Sequence, residues 1–286
     1  MTAGRLVPDA HPAPLRRWDQ PVRLSVEFGD SVPDATRSRD RAVIGDFAAT
    51  PRYQGAHGDY VSVPFMSLAH KPKSLTMLEA GGVPLAALTA WAAVVEAARV
   101  HTGQRMLVHA GAGGVGLILT QMAAALEATV YSVVSSDEKE HLAYEAGATK
   151  VFRYGDSLAD DIIAENGGAG VDVIYDGVGN DTFDFALNVT RPRGLVCSFG
   201  SASGDVEPFK IQELNKHGSL FLTRPSLTHY VADNDEFLMR AQAVARAVDD
   251  GTVKMRIHPP YKLENARQAH EDLQARKTTG SVVLKV

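Results

Sequence analysis

A short apolar run that enters a glycine-rich turn and then an apolar helix-forming segment is the strongest constraint in this chain. The segment MLVHAGAGGVGLILTQM occupies positions 106–122. A strand, a glycine turn and a helix in this order are the context in which a GxGxxG pattern indicates dinucleotide binding. The helix N-terminus would offer its first N–H groups to the pyrophosphate. We therefore predict that Gly113, Gly114, Val115 and Gly116 bind a dinucleotide; a purely structural turn is the alternative.

Strand and helix patterns alternate after this motif. Strands are predicted over 129–134, 150–154, 171–175, 194–199 and 219–223, and helices over 137–146, 158–165 and 181–188. Such alternation predicts an α/β fold with a doubly wound parallel sheet.

The flanking regions have patterns of their own. An Ala-rich helical stretch over 78–100 should break near Pro84. Before this stretch, the pattern predicts strands over 22–28 and 60–63 and a short helix over 34–49. At the C-terminal end it predicts helices over 234–249 and 268–275 and a strand over 281–285.

Composition and charge exclude several classes of function. The formal net charge is −5 with no basic block, so nucleic acid is not an expected partner. One cysteine, Cys197, and ten scattered histidines predict no disulfide and no metal site. No apolar run is long enough to span a membrane and no secretory signal is recognisable, so we expect a cytoplasmic protein. Cys197 is expected to be a buried apolar residue, and His109 to be structural.

The residues after the strand at 129–134 bear on the choice between NADH and NADPH. A carboxylate there would accept from the ribose 2′-hydroxyl and repel a 2′-phosphate. The chain has Ser135 and Ser136, whose hydroxyls can bind a phosphate, and Lys139, which can neutralise it. Asp137 and Glu138 are the contrary signal, since either could cap the helix or hold the ribose diol. Lys139 could equally be a solvated helix residue.

Eight stretches in order carry a family resemblance: HGDYVSVP, PLAALTAW, LVHAGAGGVG, EAGATKVF, VIYDGVGNDTF, RGLVCSFGSASG, NKHGSLFLTRPSL and TTGSVVLKV. From about residue 55 to the end, the chain resembles the quinone oxidoreductases, zinc-independent members of the medium-chain dehydrogenase/reductase superfamily. The resemblance implies a Rossmann-like cofactor domain over 88–228 and a smaller GroES-like β-rich domain made of 51–87 and 229–286.

Residues 1–50 are an atypical N-terminal segment by the same comparison. The family patterns GxNxxDxxxRxG and PxxxGxExxGxV are not found in residues 1–54. The GroES-like domain is therefore expected to be incomplete.

The resemblance also assigns site residues. Lys139, Tyr154 and Arg276 match family residues beside the adenosine phosphate, which together with Ser135 and Ser136 favours NADPH. Five further residues match positions that border the nicotinamide, namely Thr89, Val178, Phe199, Gly200 and Ser201. Thr89 could instead be a helix cap or a helix-interior hydroxyl, and Arg276 a helix-end cation. No side chain stands out as a catalytic acid or base.

The activity implied is hydride transfer from NADPH to a quinone or another conjugated carbonyl compound without zinc. An NADPH-binding pseudoenzyme or sensor and an enoyl or alkenal reductase of the same superfamily stay open as alternatives. The apolar strand at 219–223 is expected at a sheet edge, where an unprotected strand invites pairing. Family members commonly dimerise there, so a homodimer is expected.

Overall fold

The computed structural model describes residues 68–285 of the chain. Of the preceding residues it describes the backbone of four strands, β1 (Arg5–Val7), β2 (Pro21–Ser25), β3 (Phe47–Ala49) and β4 (Tyr60–Pro64). The chain divides into two compact units. One contains Met1–Leu88 and Tyr230–Val286, and the other contains Thr89–His229.

The strands of the first unit pair in antiparallel fashion. β2 lies between β1 and β4, and β3 pairs with β5 (Leu68–His70). The strand predicted over 60–63 is confirmed as β4, and the one predicted over 22–28 is confirmed over 22–25 as β2. Residues 26–28 lie outside the described part. The helix predicted over 34–49 is wrong at its end, because Phe47–Ala49 pairs with β5 and this pairing overrides the local helical pattern. Residues 34–46 of that prediction lie outside the described part.

The predicted break in the Ala-rich stretch is confirmed. Helix α1 (Met77–Gly81) begins at a capping box between Thr76 and Glu79, and α2 (Val83–Trp91) follows after Gly82. Pro84 lies in the first turn of α2, where a missing N–H leaves no hydrogen bond unmade. The chain continues as a π-helix, Ala92–Ala97.

The C-terminal part of the first unit is mainly helical. Helix α9 (Asn234–Asp249) buries Phe237, Val244 and Val248. Parallel strands β12 (Tyr261–Lys262) and β13 (Leu284–Lys285) flank a 3-10 helix (Leu263–Asn265) and α10 (Ala266–Gln274). The predicted strand over 281–285 is thus confined to two residues, although Ser281 also bridges to Ile257.

The fully described residues 89–229 contain one parallel sheet of six strands. These are β6 (Arg105–His109), β7 (Thr129–Val134), β8 (Lys150–Arg153), β9 (Val171–Asp176), β10 (Thr190–Ser198) and β11 (Phe221–Thr223), in the order β11-β10-β9-β6-β7-β8. The connecting helices are α3 (Gly114–Ala125), α4 (Asp137–Glu145), α5 (Leu158–Glu165), α6 (Asn180–Val189) and α7 (Gln212–Lys216), and α8 (Leu227–Tyr230) follows β11.

This strand order confirms the predicted doubly wound, Rossmann-like fold. The chain runs outward from β6 to β8 and then returns to β9 on the other side of β6. Ligands of open α/β sheets bind outside the carboxyl ends of the strands at such a switch point. The edge position predicted for the strand near 219–223 is also confirmed, since β11 ends the sheet.

Helices cover both faces of the sheet. Met106, Leu107 and Val108 are consecutive and fully buried, as expected of a parallel strand covered on both sides. Leu107 shares an apolar cluster with Ile162 of α5 and Phe183 of α6. A second cluster contains Leu117 of α3 and Leu142 of α4.

Among the residues described, no helix combines the length and apolar character needed to cross a membrane.

Candidate functional site

The turn between β6 and α3 tolerates no side chain at two of its glycines. A Cβ on Gly111 would lie 1.7 Å from Ser132 Oγ, and one on Gly116 would lie 2.6 Å from the carbonyl oxygen of Ala110. The Gly111 N–H donates to the carbonyl of Val133 at 3.1 Å. Ala110 itself has a φ of +51°. The turn therefore brings strand and helix closer together than residues with side chains would allow.

The N-terminus of α3 opens directly from this turn. Gly113 is the N-cap and provides no capping side chain, and the first intrahelical bond runs from Leu117 N–H to the Gly113 carbonyl at 3.0 Å. The N–H groups of Gly114, Val115 and Gly116 precede that bond, so they belong to the donors that a helix leaves for an external acceptor. Together with the positive end of the helix dipole they fit a pyrophosphate. We call Gly111–Gly116 the phosphate cradle.

A hydroxyl and ammonium cluster stands at the carboxyl end of the neighbouring strand β7. Ser136 is the N-cap of α4 and its Oγ accepts from the Lys139 N–H at 3.4 Å. The Lys139 ammonium donates to Ser135 Oγ at 3.3 Å. The structure thus brings together three of the five residues predicted to lie beside the 2′-phosphate.

Arg153, at the end of β8, is a residue of this region that the sequence analysis missed. Its Nη2 donates to Asp137 Oδ1 at 2.6 Å and to Glu140 Oε2 at 2.5 Å. The sequence leaves Asp137 free either to cap the helix or to hold the ribose diol. In the structure its carboxylate accepts from the guanidinium of Arg153. The register of β7 and β8, which places Arg153 beside Val134, brings the pair together.

Tyr154 follows β8 and contacts Ala110, the residue directly before the phosphate cradle. Its hydroxyl accepts from the Ala110 N–H at 3.0 Å, and its ring stacks on His109 with centroids 5.9 Å apart. The other contact of His109 is an edge-on approach to Phe185. Burial lowers the pKa of His109 to about 4, although the nearby carboxylate of Asp176 opposes the shift. His109 is therefore a neutral packing residue near pH 7, in agreement with its predicted structural role.

Asp176, at the end of β9, organises the next loop and was also missed. Its buried Oδ1 accepts from Val178 N–H at 2.7 Å, from Gly179 N–H at 3.1 Å and from Thr182 Oγ1 at 2.9 Å. A carboxylate directly followed by a glycine at a strand end is the sequence signal that could have revealed it. The loop that carries Val178 is consequently held in one conformation.

The loop after β10 packs directly against the loop after β9. Phe199 N–H donates to the Asp176 carbonyl at 2.8 Å. A Cβ on Gly200 would lie 2.5 Å from the Gly177 carbonyl oxygen. A Cβ on Gly179 would lie 3.0 Å from Ser201 Cα. Val178, Phe199, Gly200 and Ser201 are thus brought together at the carboxyl edge of the sheet, where a nicotinamide would be expected.

Three other predicted residues have the following positions. Thr89 is half-buried in the interior of α2. Arg276 is exposed after α10 with a φ of +57° and belongs to the other compact unit. Cys197 is fully buried, as predicted, and burial raises the pKa of its thiol to about 12, which makes it a poor nucleophile.

Within the described part of the chain, no three His, Cys, Asp or Glu side chains gather as a set of metal ligands.

Comparison with known proteins identifies dehydrogenases and reductases as relatives of this chain. Residues 114–236 match the family model described as "Zinc-binding dehydrogenase". The chain is 34% identical to a 2-haloacrylate reductase of Burkholderia over 96% of this chain and 84% of that protein. It is 36% identical to a quinone oxidoreductase of Salmonella typhimurium over 92% of this chain and 82% of that protein. Because the match to the 2-haloacrylate reductase covers 96% of the chain, it includes most of residues 1–50, the segment predicted to be atypical.

Solved structures give the same relationship. A mycobacterial protein complexed with NADPH superposes with a TM-score of 0.80 at 37% identity, covering 87% of this chain and 84% of that one. The Escherichia coli quinone oxidoreductase complexed with NADPH superposes with a TM-score of 0.84 at 28% identity, covering all of this chain and 90% of that one. The glycine cradle, the strand order and these identities show that the chain belongs to the quinone oxidoreductase family of the medium-chain dehydrogenase/reductase superfamily.

Proposed function

We propose that this protein is an NADPH-dependent reductase that transfers a hydride to a quinone or a similar conjugated carbonyl compound without zinc. The phosphate cradle, with the Ser135–Lys139 contact one strand away, is the observation that carries the proposal. Relatives named as quinone oxidoreductases and a 2-haloacrylate reductase support an electron-poor, conjugated acceptor. Two related structures contain NADPH, which supports the choice of cofactor.

Each part of the site has its own role in the proposal. Backbone N–H groups of Gly114, Val115 and Gly116 hold the pyrophosphate. Gly113, whose own N–H donates to the Ala110 carbonyl at 2.9 Å, borders it as the N-cap of α3. The 2′-phosphate is held by residues of the unit Thr89–His229 with hydroxyl or cationic groups, namely Ser135, Ser136, Lys139 and Tyr154. Thr89, Val178, Phe199, Gly200 and Ser201 border the nicotinamide. The bound cofactor supplies the hydride, and the protein supplies orientation and a site of limited water access.

No side chain is assigned to proton transfer in this proposal. The reduced oxygens of a quinone can take protons from water, so the reaction needs no obligatory protein acid. The thiol of Cys197 is excluded from such a role by its burial and its raised pKa.

We also propose a domain arrangement and an assembly. Residues 88–228 form the cofactor domain, and residues 51–87 and 229–286 form a GroES-like domain. The N-terminal segment 1–50 pairs with that domain through β2 and β3. The edge strand β11, where Phe221 is 64% exposed, forms the contact of a homodimer. We place the protein in the cytoplasm.

NADPH fluorescence tests the proposal first. Binding should enhance the emission and shift it to the blue at micromolar protein and cofactor, and absence of any change would reject NADPH binding. Oxidation of NADPH should then be followed with a series of quinones, enals and a 2-haloacrylate. Binding without oxidation by any acceptor would reject the reductase and leave a protein that only binds NADPH. Oxidation by enals alone would assign the chain to the enoyl or alkenal reductases.

A further inference from the structure

We infer that Arg153 determines the preference for NADPH by neutralising Asp137, the carboxylate that stands where NADH-specific proteins bind the ribose. The inference rests on the proposed function and concerns the same cofactor site. Arg153, Asp137 and Lys139 all lie in the fully described unit Thr89–His229.

Asp137 lies close to the position of a ribose-binding acid, three residues past the last residue of β7. In dinucleotide-binding sheets, a carboxylate about 20 residues after the glycine motif, at the end of the second strand, accepts from the ribose 2′-hydroxyl. Asp137 follows the second strand, β7, and begins α4. A free carboxylate here would accept the diol of NADH and repel the 2′-phosphate of NADPH.

The first turn of α4 is acidic as a whole. Asp137, Glu138 and Glu140 lie in this turn, where they favour the helix through its dipole. The cation contributed by the helix itself in this turn is Lys139. Three carboxylates against one ammonium would leave the surroundings of a 2′-phosphate net negative.

Arg153 changes this balance from the neighbouring strand. Its Nη2 bonds Asp137 Oδ1 at 2.6 Å, while its Nε and Nη2 bond Glu140 Oε2 at 3.2 and 2.5 Å. One guanidinium therefore bridges two of the three carboxylates. This arrangement occupies an acceptor oxygen of Asp137 that a ribose diol would need, and it halves the net negative charge left by the three carboxylates and Lys139.

The bridge has little reason to exist for stability alone. The Arg153 side chain is 34% exposed and that of Asp137 is fully exposed, and ion pairs in such surroundings contribute little to folding. The pair matters instead for a bound 2′-phosphate, because the free charge of Asp137 and the phosphate would repel each other. Arg153 is thus a specificity-determining residue that acts through Asp137.

Titration of NADPH and NADH into four proteins tests this: the wild type, Arg153→Gln, Asp137→Asn and the double variant. Arg153→Gln should raise the Kd for NADPH about tenfold and leave the Kd for NADH unchanged or lower, since the released carboxylate can accept the ribose diol. Asp137→Asn should leave NADPH affinity unchanged or improve it. The double variant should recover most of the NADPH affinity, because no carboxylate then needs neutralising.

Three outcomes would overturn the inference. An equal loss of both cofactors in Arg153→Gln would assign the residue a structural role only. A double variant as weak for NADPH as Arg153→Gln would mean that Arg153 contacts the phosphate directly rather than through Asp137. Improved NADH binding by Asp137→Asn would contradict the ribose role of Asp137, and this variant keeps the test decisive if Arg153→Gln folds poorly. A wild type that binds no NADPH would reject the proposed function itself, and the inference with it.

Discussion

The phenol oxygen of Tyr154 accepts a hydrogen bond from the backbone N–H of Ala110 at 3.0 Å. This bond ties the residue after β8 to Ala110, which directly precedes the phosphate cradle, across the intervening strand β7. Ala110 has a φ of +51°, a backbone region that residues other than glycine adopt reluctantly. Tyr154 therefore helps to hold the cradle in a conformation that its own sequence does not favour.

Replacement of this phenol should weaken cofactor binding. Tyr154→Phe leaves the Ala110 N–H without its acceptor, so we expect a loss of about 1 kcal/mol in stability and a rise of about fivefold in the Kd for NADPH. Tyr144→Phe is the matched control, because the Tyr144 hydroxyl accepts from the Val151 N–H at 3.3 Å, away from the cradle. Denaturant unfolding and NADPH fluorescence measure the two effects. Equal weakening of NADPH by both variants would contradict the role assigned to Tyr154.

Gly116, the last glycine of the cradle, should tolerate no methyl group. A Cβ on Gly116 would lie 2.6 Å from the Ala110 oxygen and 2.9 Å from the Gly111 oxygen. Gly116→Ala must therefore push α3 away from β6, and we expect a loss of about 1–3 kcal/mol in stability and of at least about tenfold in NADPH affinity. Gly155→Ala, where nothing lies within 4 Å of the added Cβ, should change neither quantity. A fully stable, NADPH-binding Gly116→Ala protein would refute the close approach of helix and strand.

The ammonium of Lys139 should discriminate between the two cofactors. Lys139→Gln removes the positive charge next to Ser135, so the Kd for NADPH should rise about tenfold, in line with the contribution of a charge-assisted hydrogen bond. NADH, which lacks the 2′-phosphate, should bind as before. The matched control is Lys150→Gln at the opposite end of β8, where the lysine pairs with Glu165 at 3.5 Å. An equal effect of Lys139→Gln on both cofactors would mean that Lys139 does not contact the 2′-phosphate.

Burial of His109 should make the folded state sensitive to mild acid. Burial lowers the pKa of this imidazole from 6.5 to about 4. Between about pH 6.5 and about pH 4, His109 is therefore protonated in the unfolded chain and neutral in the folded protein. Because the unfolded chain binds the additional proton, the free energy of unfolding falls as the pH drops through this window. The contribution of His109 to that fall should be roughly 1–2 kcal/mol between about pH 7.5 and about pH 5.

Unfolding of His109→Phe by urea at the two pH values isolates this contribution, since other groups titrate alike in both proteins. The variant should lose less stability in acid than the wild type does. His141→Phe, which alters a histidine whose side chain is 78% exposed, should retain the wild-type loss. The same acid sensitivity in His109→Phe and the wild type would show that another group is responsible.

The exposed side chain of β11 should govern assembly. Phe221→Lys places a charge on the edge strand proposed as the dimer contact, where burial of an unpaired charge is unfavourable. Light scattering after size exclusion should give a dimer for the wild type and a monomer for this variant. Leu126→Lys, at another partly exposed apolar residue of the same unit, should stay dimeric. A wild type that elutes as a monomer would reject the proposed assembly.

Features that depend mainly on residues close together in the sequence could be predicted from the sequence. The phosphate cradle lies within one contiguous stretch in which the apolar strand, the glycines and the helix follow each other, so it could be recognised from neighbouring residues, although Val133 and Tyr154 bond to this turn from other strands. The break at Gly82 is local as well, because it depends on the position of Pro84 in the first turn of α2. The predicted alternation of strands and helices likewise identified the parallel sheet.

Tertiary structure decided the features that join distant segments. Phe47–Ala49 is a strand because its partner is Leu68–His70, which no local pattern in residues 34–49 indicates. Arg153 meets Asp137 because the register of β7 and β8 aligns Val134 with Arg153, and a pattern in the sequence does not specify which strands are neighbours. Sequence alone thus determined that the chain can cradle a pyrophosphate. The order of the strands decided which charges surround it, because that order sets the distances on which electrostatic energies depend.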